Sequence, residues 1–253
     1  MSGRTVMLES DLGEGFGVWS FGDDDGLLDV VDAANVACGF HGGDPLIMAR
    51  TCAAAVRRAV TIGAHISYRD LIGFGRRAVS VSSEELEADL LYQLGALGAV
   101  ATAAGGRVEY VKAHGALYNL AAADRATATA VARSVAAAGG LPIVCQPRTV
   151  MAEVAVDHGL RVIAEGFADR GYEPSGLLMP RSDPRALVLD AAAAAAQARR
   201  MATEGTVLAH DGTVVDLGAP VEAICVHSDT PGARHIAAAV RAALQGISSS
   251  DGG

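Results

Sequence analysis

Short apolar runs, each leading into ionisable side chains, recur along this chain and alternate with longer segments of helical character. Val6–Leu8 leads to Asp11 and Glu14, Asn35–Gly39 to His41, and Thr61–Ala64 to His65. Tyr110–His114 carries Lys112 and His114, Arg161–Ala164 leads to Glu165 and Asp169, and Ala223–Val226 to His227 and Asp229. Continuous apolar runs of this length read as parallel strands buried on both faces, and polar groups gathered at one end of each are how a parallel barrel builds an active site. Seven strand-helix units can be counted, which predicts an α/β fold with a parallel sheet.

Local signals place the helix boundaries. Asp44-Pro45, Asp183-Pro184 and Thr230-Pro231 each set a capping side chain before a proline suited to a first helical turn. Ser82 and Glu85 form the pattern of a capping box, and Gly105-Gly106 and Gly139-Gly140 are stops. His210–Thr213 between two short β-type runs predicts a small hairpin ahead of the last strand. One domain over residues 1–247 and a disordered tail over 248–253 are expected, since no linker divides the chain.

Charge and cysteine usage narrow the partners. A net charge of −9 with no block of Lys or Arg argues against nucleic acid or an anionic membrane and leaves a small molecule as the natural ligand. Cys38, Cys52, Cys145 and Cys225 form no C-x-x-C pair, so neither a zinc knuckle nor a disulfide framework is predicted, and a cytoplasmic setting is expected. No apolar leader and no membrane-length apolar stretch is read.

Several segments carry the chemistry. Asp11-Leu-Gly-Glu14-Gly-Phe-Gly17 offers two carboxylates in a flexible turn, yet it fits neither the dinucleotide fingerprint nor the P-loop. Lys112 and His114 lie two apart on a strand and share a face, setting a proton-transfer group beside a fixed cation. Arg76 and Arg77, between glycines, suit carboxylate or phosphate oxygens. Asp44 reads first as a helix cap, Cys38 as a small buried hydrophobe, and His158 and His235 as surface residues.

Read together, these blocks resemble the LamB/YcsF family, from about Leu12 to Arg241. The resemblance rests on Asp11-Leu-Gly-Glu-Gly-Phe-Gly, Ala34-Asn-Val-Ala-Cys-Gly-Phe-His, Ile62-Gly-Ala-His, Gly73-Phe-Gly-Arg-Arg and Tyr92-Gln-Leu-Gly-Ala-Leu. It continues through His114-Gly-Ala-Leu-Tyr-Asn, Glu165-Gly-Phe-Ala-Asp-Arg-Gly-Tyr and Met179-Pro-Arg. It implies a seven-stranded TIM-like (β/α) barrel of the glycoside hydrolase/deacetylase type. It further implies ATP-dependent opening of the 5-oxoproline lactam to glutamate, with ATP as co-substrate together with Mg2+, and partner subunits B and C. The chain departs from the usual family pattern beside the expected site. Met7, Leu8 and Glu9 stand where Asp-Leu-Asn is usual, Ile66 and Ala113 replace prolines, and Gly42 and Ser228 alter two further motifs.

The expected catalytic residues are Asp11, Glu14, His41, His65, Lys112 and His114. Asp11 or Glu14 is expected to activate water, and His41, His65 or His114 to protonate the leaving nitrogen. Lys112, Arg76 and Arg77 are expected to hold phosphate or substrate carboxylate. Asn35, Asp44, Tyr118, Asn119, Glu165, Arg170, Tyr172, Arg181, His227 and Asp229 complete the expected binding set for substrate or nucleotide. Two alternatives remain from sequence: a metal-dependent amidase or deacetylase using Asp11, His41 and His65 as ligands, and a catalytically silent binding subunit.

Overall fold

A computed structural model describes residues 6–250, with side chains to Ile247. Seven parallel strands close into a barrel: β1 (Met7–Leu12), β2 (Ala33–Ala37), β3 (Thr61–Ile66), β4 (Val108–Ala113), β5 (Ile143–Cys145), β6 (Val162–Phe167) and β9 (Ala223–Cys225), in that order around the ring. Pairing of β9 with both β6 and β1 completes the ring. An antiparallel hairpin, β7 (Thr206–Leu208) and β8 (Val214–Asp216), precedes β9, as the His210–Thr213 turn predicts. Asp11, His65 and Lys112 lie within their strands, because β1, β3 and β4 extend beyond their most apolar stretch.

The helices α1 (Asp24–Leu28), α2 (Pro45–Arg57), α3 (Ser83–Ala103), α4 (Gly115–Ala121), α5 (Arg125–Ala137), α6 (Val150–Asp157), α7 (Ala191–Glu204) and α8 (Ala233–Ser250) fill the connections. Asp44 caps α2 through the amides of Leu46 and Ile47, and Ser82 caps α3 through that of Glu85. Two expected starts fall elsewhere. Asp183-Pro184 forms a turn in which Asp183 accepts from the Arg185 amide, and α7 begins at Ala191 under the Asp190 cap. Helix α8 begins at Ala233, beyond Pro231, because the Thr230 hydroxyl is bonded to Asp169. Backbone of α8 reaches into the expected tail as far as Ser250, and residues 251–253 lie outside the described residues.

Alternation along the strands sorts the barrel interior into layers. Ala33, Tyr110, Val144, Ile163 and Ala223 form an apolar plug against which Met7 packs. Glu9, Lys112 and Glu165 stand above it, and Asp11, His65 and His227 lie nearer the carboxyl ends. Gly63 is required at its place because a Cβ there would overlap the Tyr110 ring. All four cysteines are buried and free.

Candidate active site

Polar side chains at the carboxyl ends of the strands surround a pocket of about 250 Å³. Asp11, His65, Arg76, Lys112, His114, Tyr118, Asn119, Arg170, Arg181 and His227 all line it. Five parallel strands and the loops after them supply these groups, the arrangement of a barrel active site.

On the floor, the Lys112 ammonium donates to Glu9 Oε1 at 2.7 Å, pairs with Glu165, and lies 3.6 Å from Asp11 Oδ1. Burial opposes its charge, but these acids hold its pKa well above the lysine value. Lys112 is therefore tied to protein carboxylates and is not free to grip phosphate. Tyr118 donates to Glu165 Oε2 at 2.7 Å. Asn35 donates to Asp11 Oδ1 at 2.9 Å and accepts from the Tyr110 hydroxyl at 2.6 Å. Burial opposes ionisation of Asp11, yet His65 and Lys112 hold its carboxyl well below the usual range, so it stays a carboxylate.

Beside this floor lies an imidazole cluster. His65 Nδ1 donates to the Lys112 carbonyl at 3.3 Å and His114 Nε2 donates to the Phe74 carbonyl at 2.8 Å. His65 Nε2 and His114 Nδ1 face each other at 3.0 Å, and His65 Nε2 also lies 3.4 Å from Asp11 Oδ1. Glu14 Oε1 lies 3.3 Å from His114 Nδ1, 3.2 Å from His41 Nε2 and 3.9 Å from His65 Nε2. His41 stacks on His114 with ring centroids 3.8 Å apart. Burial pushes His41 down to about 3, and burial with the neighbouring imidazoles pushes His114 well below its ordinary value, so both are neutral at pH 7. Burial, reinforced by Asp11, raises Glu14 to about 7. Three sets of donors converge among the described residues, and one of them, Glu14, His41, His65 and His114, contains the His41 and His65 of the alternative metal set, while Asp11 falls in a second set with Cys225 and His227.

Across the pocket, His227 Nδ1 meets Asp169 at 3.0 and 3.1 Å, and Asp169 also accepts from the His227 amide at 3.0 Å and the Thr230 hydroxyl at 2.5 Å. A carboxylate that fixes Nδ1 as the donor turns the Nε2 lone pair toward the pocket, as in a histidine base. Asp229 bridges Arg76 at 2.5 Å and Arg181 at 3.3 Å, which places two guanidinium groups at the rim. Arg170 is pinned by the carbonyls of Ala186 and Met179, at 3.0 and 2.6 Å.

Three expected site residues are engaged elsewhere. Arg77 clamps Asp70 with its side chain 62% exposed, outside the pocket. Asp44 is consumed as a cap, its second oxygen accepting from the Gly17 amide at 2.8 Å. Tyr172 is buried away from the pocket, where its hydroxyl accepts from the Phe167 amide at 2.8 Å. Conversely, Glu9 and Asp169 were not among the expected site residues. The signal for Glu9 was its spacing of two from Asp11 on one strand, which sets both on the inner face.

The LamB/YcsF family profile matches residues 6–250. The chain belongs to that family. It is 52% identical over 241 residues to the 5-oxoprolinase A subunit of Mycobacterium avium (strain 104), and the match covers 95% of both chains. It is 53% identical over 242 residues to the protein of the same name from Kocuria rhizophila, again over 95% of both. A solved structure, the lactam utilization protein of Thermus thermophilus, superposes with a TM-score of 0.89 at 44% identity over 96% of each chain.

Proposed function

We propose that this chain is the A subunit of a 5-oxoprolinase, a hydrolase that opens the 5-oxoproline lactam to L-glutamate at the expense of ATP, and that residues 1–247 form its single catalytic domain. The observation that carries the reading is the Asp169-oriented His227 facing a small pocket whose rim presents Arg76 and Arg181. Guanidinium groups suit the substrate carboxylate, and the pocket volume of about 250 Å³ suits one small acid. His227 takes the proton of the attacking water, with the Asp11 carboxylate 3.9 Å from its Nε2 to stabilise the resulting imidazolium.

A five-membered lactam is stable, so its carbonyl is activated by phosphoryl transfer from ATP, accompanied by Mg2+. The sequence carries no P-loop, which assigns much of the nucleotide handling to the partner subunits B and C. Among the described residues no helix is long and apolar enough to cross a membrane, and four free buried thiols fit a reducing cytoplasm. The test is to incubate the chain with and without its partner subunits, ATP and 5-oxoproline, and to assay glutamate and phosphate together. Glutamate and phosphate appearing in step only with the partners supports the reading, and robust turnover by the chain alone contradicts the division of labour.

A second reading concerns metal. His65 Nε2 and His114 Nδ1 face each other at 3.0 Å with a Glu14 carboxylate oxygen beside them, a convergence of donor atoms that suits a divalent ion such as zinc. Glu14, His65 and His114 would hold it, with His41 against the same carboxylate. A bound ion of this kind supplies Lewis acidity at a carbonyl or water. Elemental analysis of purified protein, and at least about tenfold weaker zinc binding by His114→Ala in a chelator competition, are the expected results. Equal zinc affinity in the variant removes the metal reading.

A further inference from the structure

The buried acids around Lys112 outnumber their cation. Glu9, Glu165 and Asp11 surround one ammonium, and Glu9 and Glu165 are 0% and 1% exposed, so no solvent offsets the excess. Glu9 Oε2 has no hydrogen-bond partner of its own in this layer. Register explains how the two glutamates meet: Glu9 pairs with Cys225 and Glu165 with Ala223, from opposite sides of β9. The small inward side chains of Ala223 and Cys225 leave the space above β9 open, and oxygens of the two carboxyls come within 4.8 Å. The Lys112 ammonium already sits between these acids, which leaves no role for a metal ion there.

We propose that Glu9 and Glu165 hold a single proton between them over Lys112, and that Tyr118 conducts it to the pocket, where it protonates the leaving nitrogen. Two buried carboxylates this near one another cannot both ionise without a large cost, and one shared proton removes it. Burial drives the Glu165 carboxyl well above its ordinary range, and Glu9 adds to this against the opposing pull of Lys112. Burial also opposes ionisation of Glu9, but the Lys112 ammonium holds its carboxyl below the usual range. The other titratable groups facing the pair are Asp11 on β1, Tyr110 on β4, Cys145 on β5, Cys225 on β9, Tyr118 on α4 and Tyr172 beyond β6. Burial raises the phenols and thiols among them, so they stay neutral and only Asp11 and Lys112 add charge.

The second half of the proposal rests on the lactam-opening reading. As the C–N bond breaks, its electron pair stays on nitrogen, which takes the Tyr118 hydroxyl proton. Tyr118, which donates to Glu165 Oε2 at 2.7 Å at rest, turns its O–H to the nitrogen as the shared proton moves to Glu165 Oε2 and on to the phenolic oxygen, and Lys112 remains paired with the two carboxylates that result. Neutral His41 and His114 are poor acids, whereas a protonated carboxyl is a competent one. Glu9, which stands where the family usually has asparagine, acts through Glu165 and is a positioning residue.

The test begins with the full chain labelled with carboxyl-13C glutamate and observed at about pH 9, above the Glu14 titration near 7, so that Glu14 is silent. One protonated-carboxyl resonance is expected. Glu9→Gln and Glu165→Gln should each abolish that whole signal, because either removes one of the two carboxyls that share the proton. No such signal in the wild type, or its survival in Glu9→Gln, overturns the shared proton. If Glu9→Gln fails to fold, Glu165→Gln reads the same proton. In the complex with partner subunits, Tyr118→Phe should lower kcat about a hundredfold with KM little changed, the usual scale of a lost proton donor. A wild-type kcat overturns the relay. A wild type that shows the resonance and its loss in both variants but opens no lactam removes the functional reading and leaves the shared proton standing.

Discussion

One rung of β4 separates two buried polar groupings that meet the cost of burial in opposite ways. At Lys112 an ammonium is balanced by glutamates from β1 and β6, so charge is kept and neutralised locally. At His114 three imidazoles and Glu14 crowd together, and burial holds His41 and His114 neutral and Glu14 only partly ionised at pH 7. Charge is avoided there. A balanced grouping is internally satisfied and rigid, whereas a crowd of imidazole nitrogens around one carboxyl is poised to take a proton or a cation.

The largest expected break in this comparison comes from Lys112→Met. Removing the cation strands Glu9 and Glu165 in the barrel, and breaking a buried pair in this way costs about 3–5 kcal/mol. Chemical denaturation should register that loss together with abolished turnover. Lys112 is held between two buried glutamates, so its loss reaches the fold as well as the pocket, and wild-type stability in the variant would contradict the balanced-charge account.

The neutral cluster is tested by pH. Glu14 has a folded value of about 7 against an ordinary 4.5, so its contribution to stability is fully present below 4.5 and is lost as pH rises through 7. His41 runs the other way: its folded value of about 3 lies below 6.5, so its contribution is present above 6.5 and is lost as pH falls toward 3. In metal-free protein, Glu14→Gln should therefore lose less stability than wild type between pH 4.5 and 7, by up to about 3 kcal/mol. Parallel stability-pH curves for the two proteins would show that Glu14 does not titrate as burial requires.

A finer contrast uses adjacent residues. Arg76 reaches Asp229 at the rim, while Arg77 turns away to Asp70. Arg76→Gln should raise KM for 5-oxoproline about tenfold, and Arg77→Gln should leave it within about twofold, as expected when a half-exposed guanidinium pairs outside the pocket. Equal effects from both would dissolve the distinction.

Much of the barrel was legible because strands announce themselves by apolar runs and their ionisable ends. The strand β5 (Ile143–Cys145) was the exception: it brings no ionisable residue to its tip. Register across the ring was not legible, and register decides chemistry. Lys112 meets Glu9 across 103 positions, and Asp169 meets His227 across 58. A local reading marks Lys112 as a cation in search of an anion, although its partners were already within the barrel. Likewise Asp169 was seen at its strand tip, but its role depends on β6 and β9 being neighbours.

The smallest expected effect tests that lesson at Asp44, which sequence offers both as a cap and as a ligand-binding residue. Its carboxylate accepts from the amides of Leu46 and Ile47 through one oxygen and from Gly17 through the other. Asp44→Ala should thus cost about 1 kcal/mol in denaturation, the ordinary value of a lost N-cap, and leave KM and kcat near wild type. Asp44→Asn should restore most of that loss, since the amide oxygen can still accept from the helix. A raised KM with unchanged stability would return Asp44 to the binding set and move the functional boundary of the pocket outward, past the histidine cluster to the start of α2.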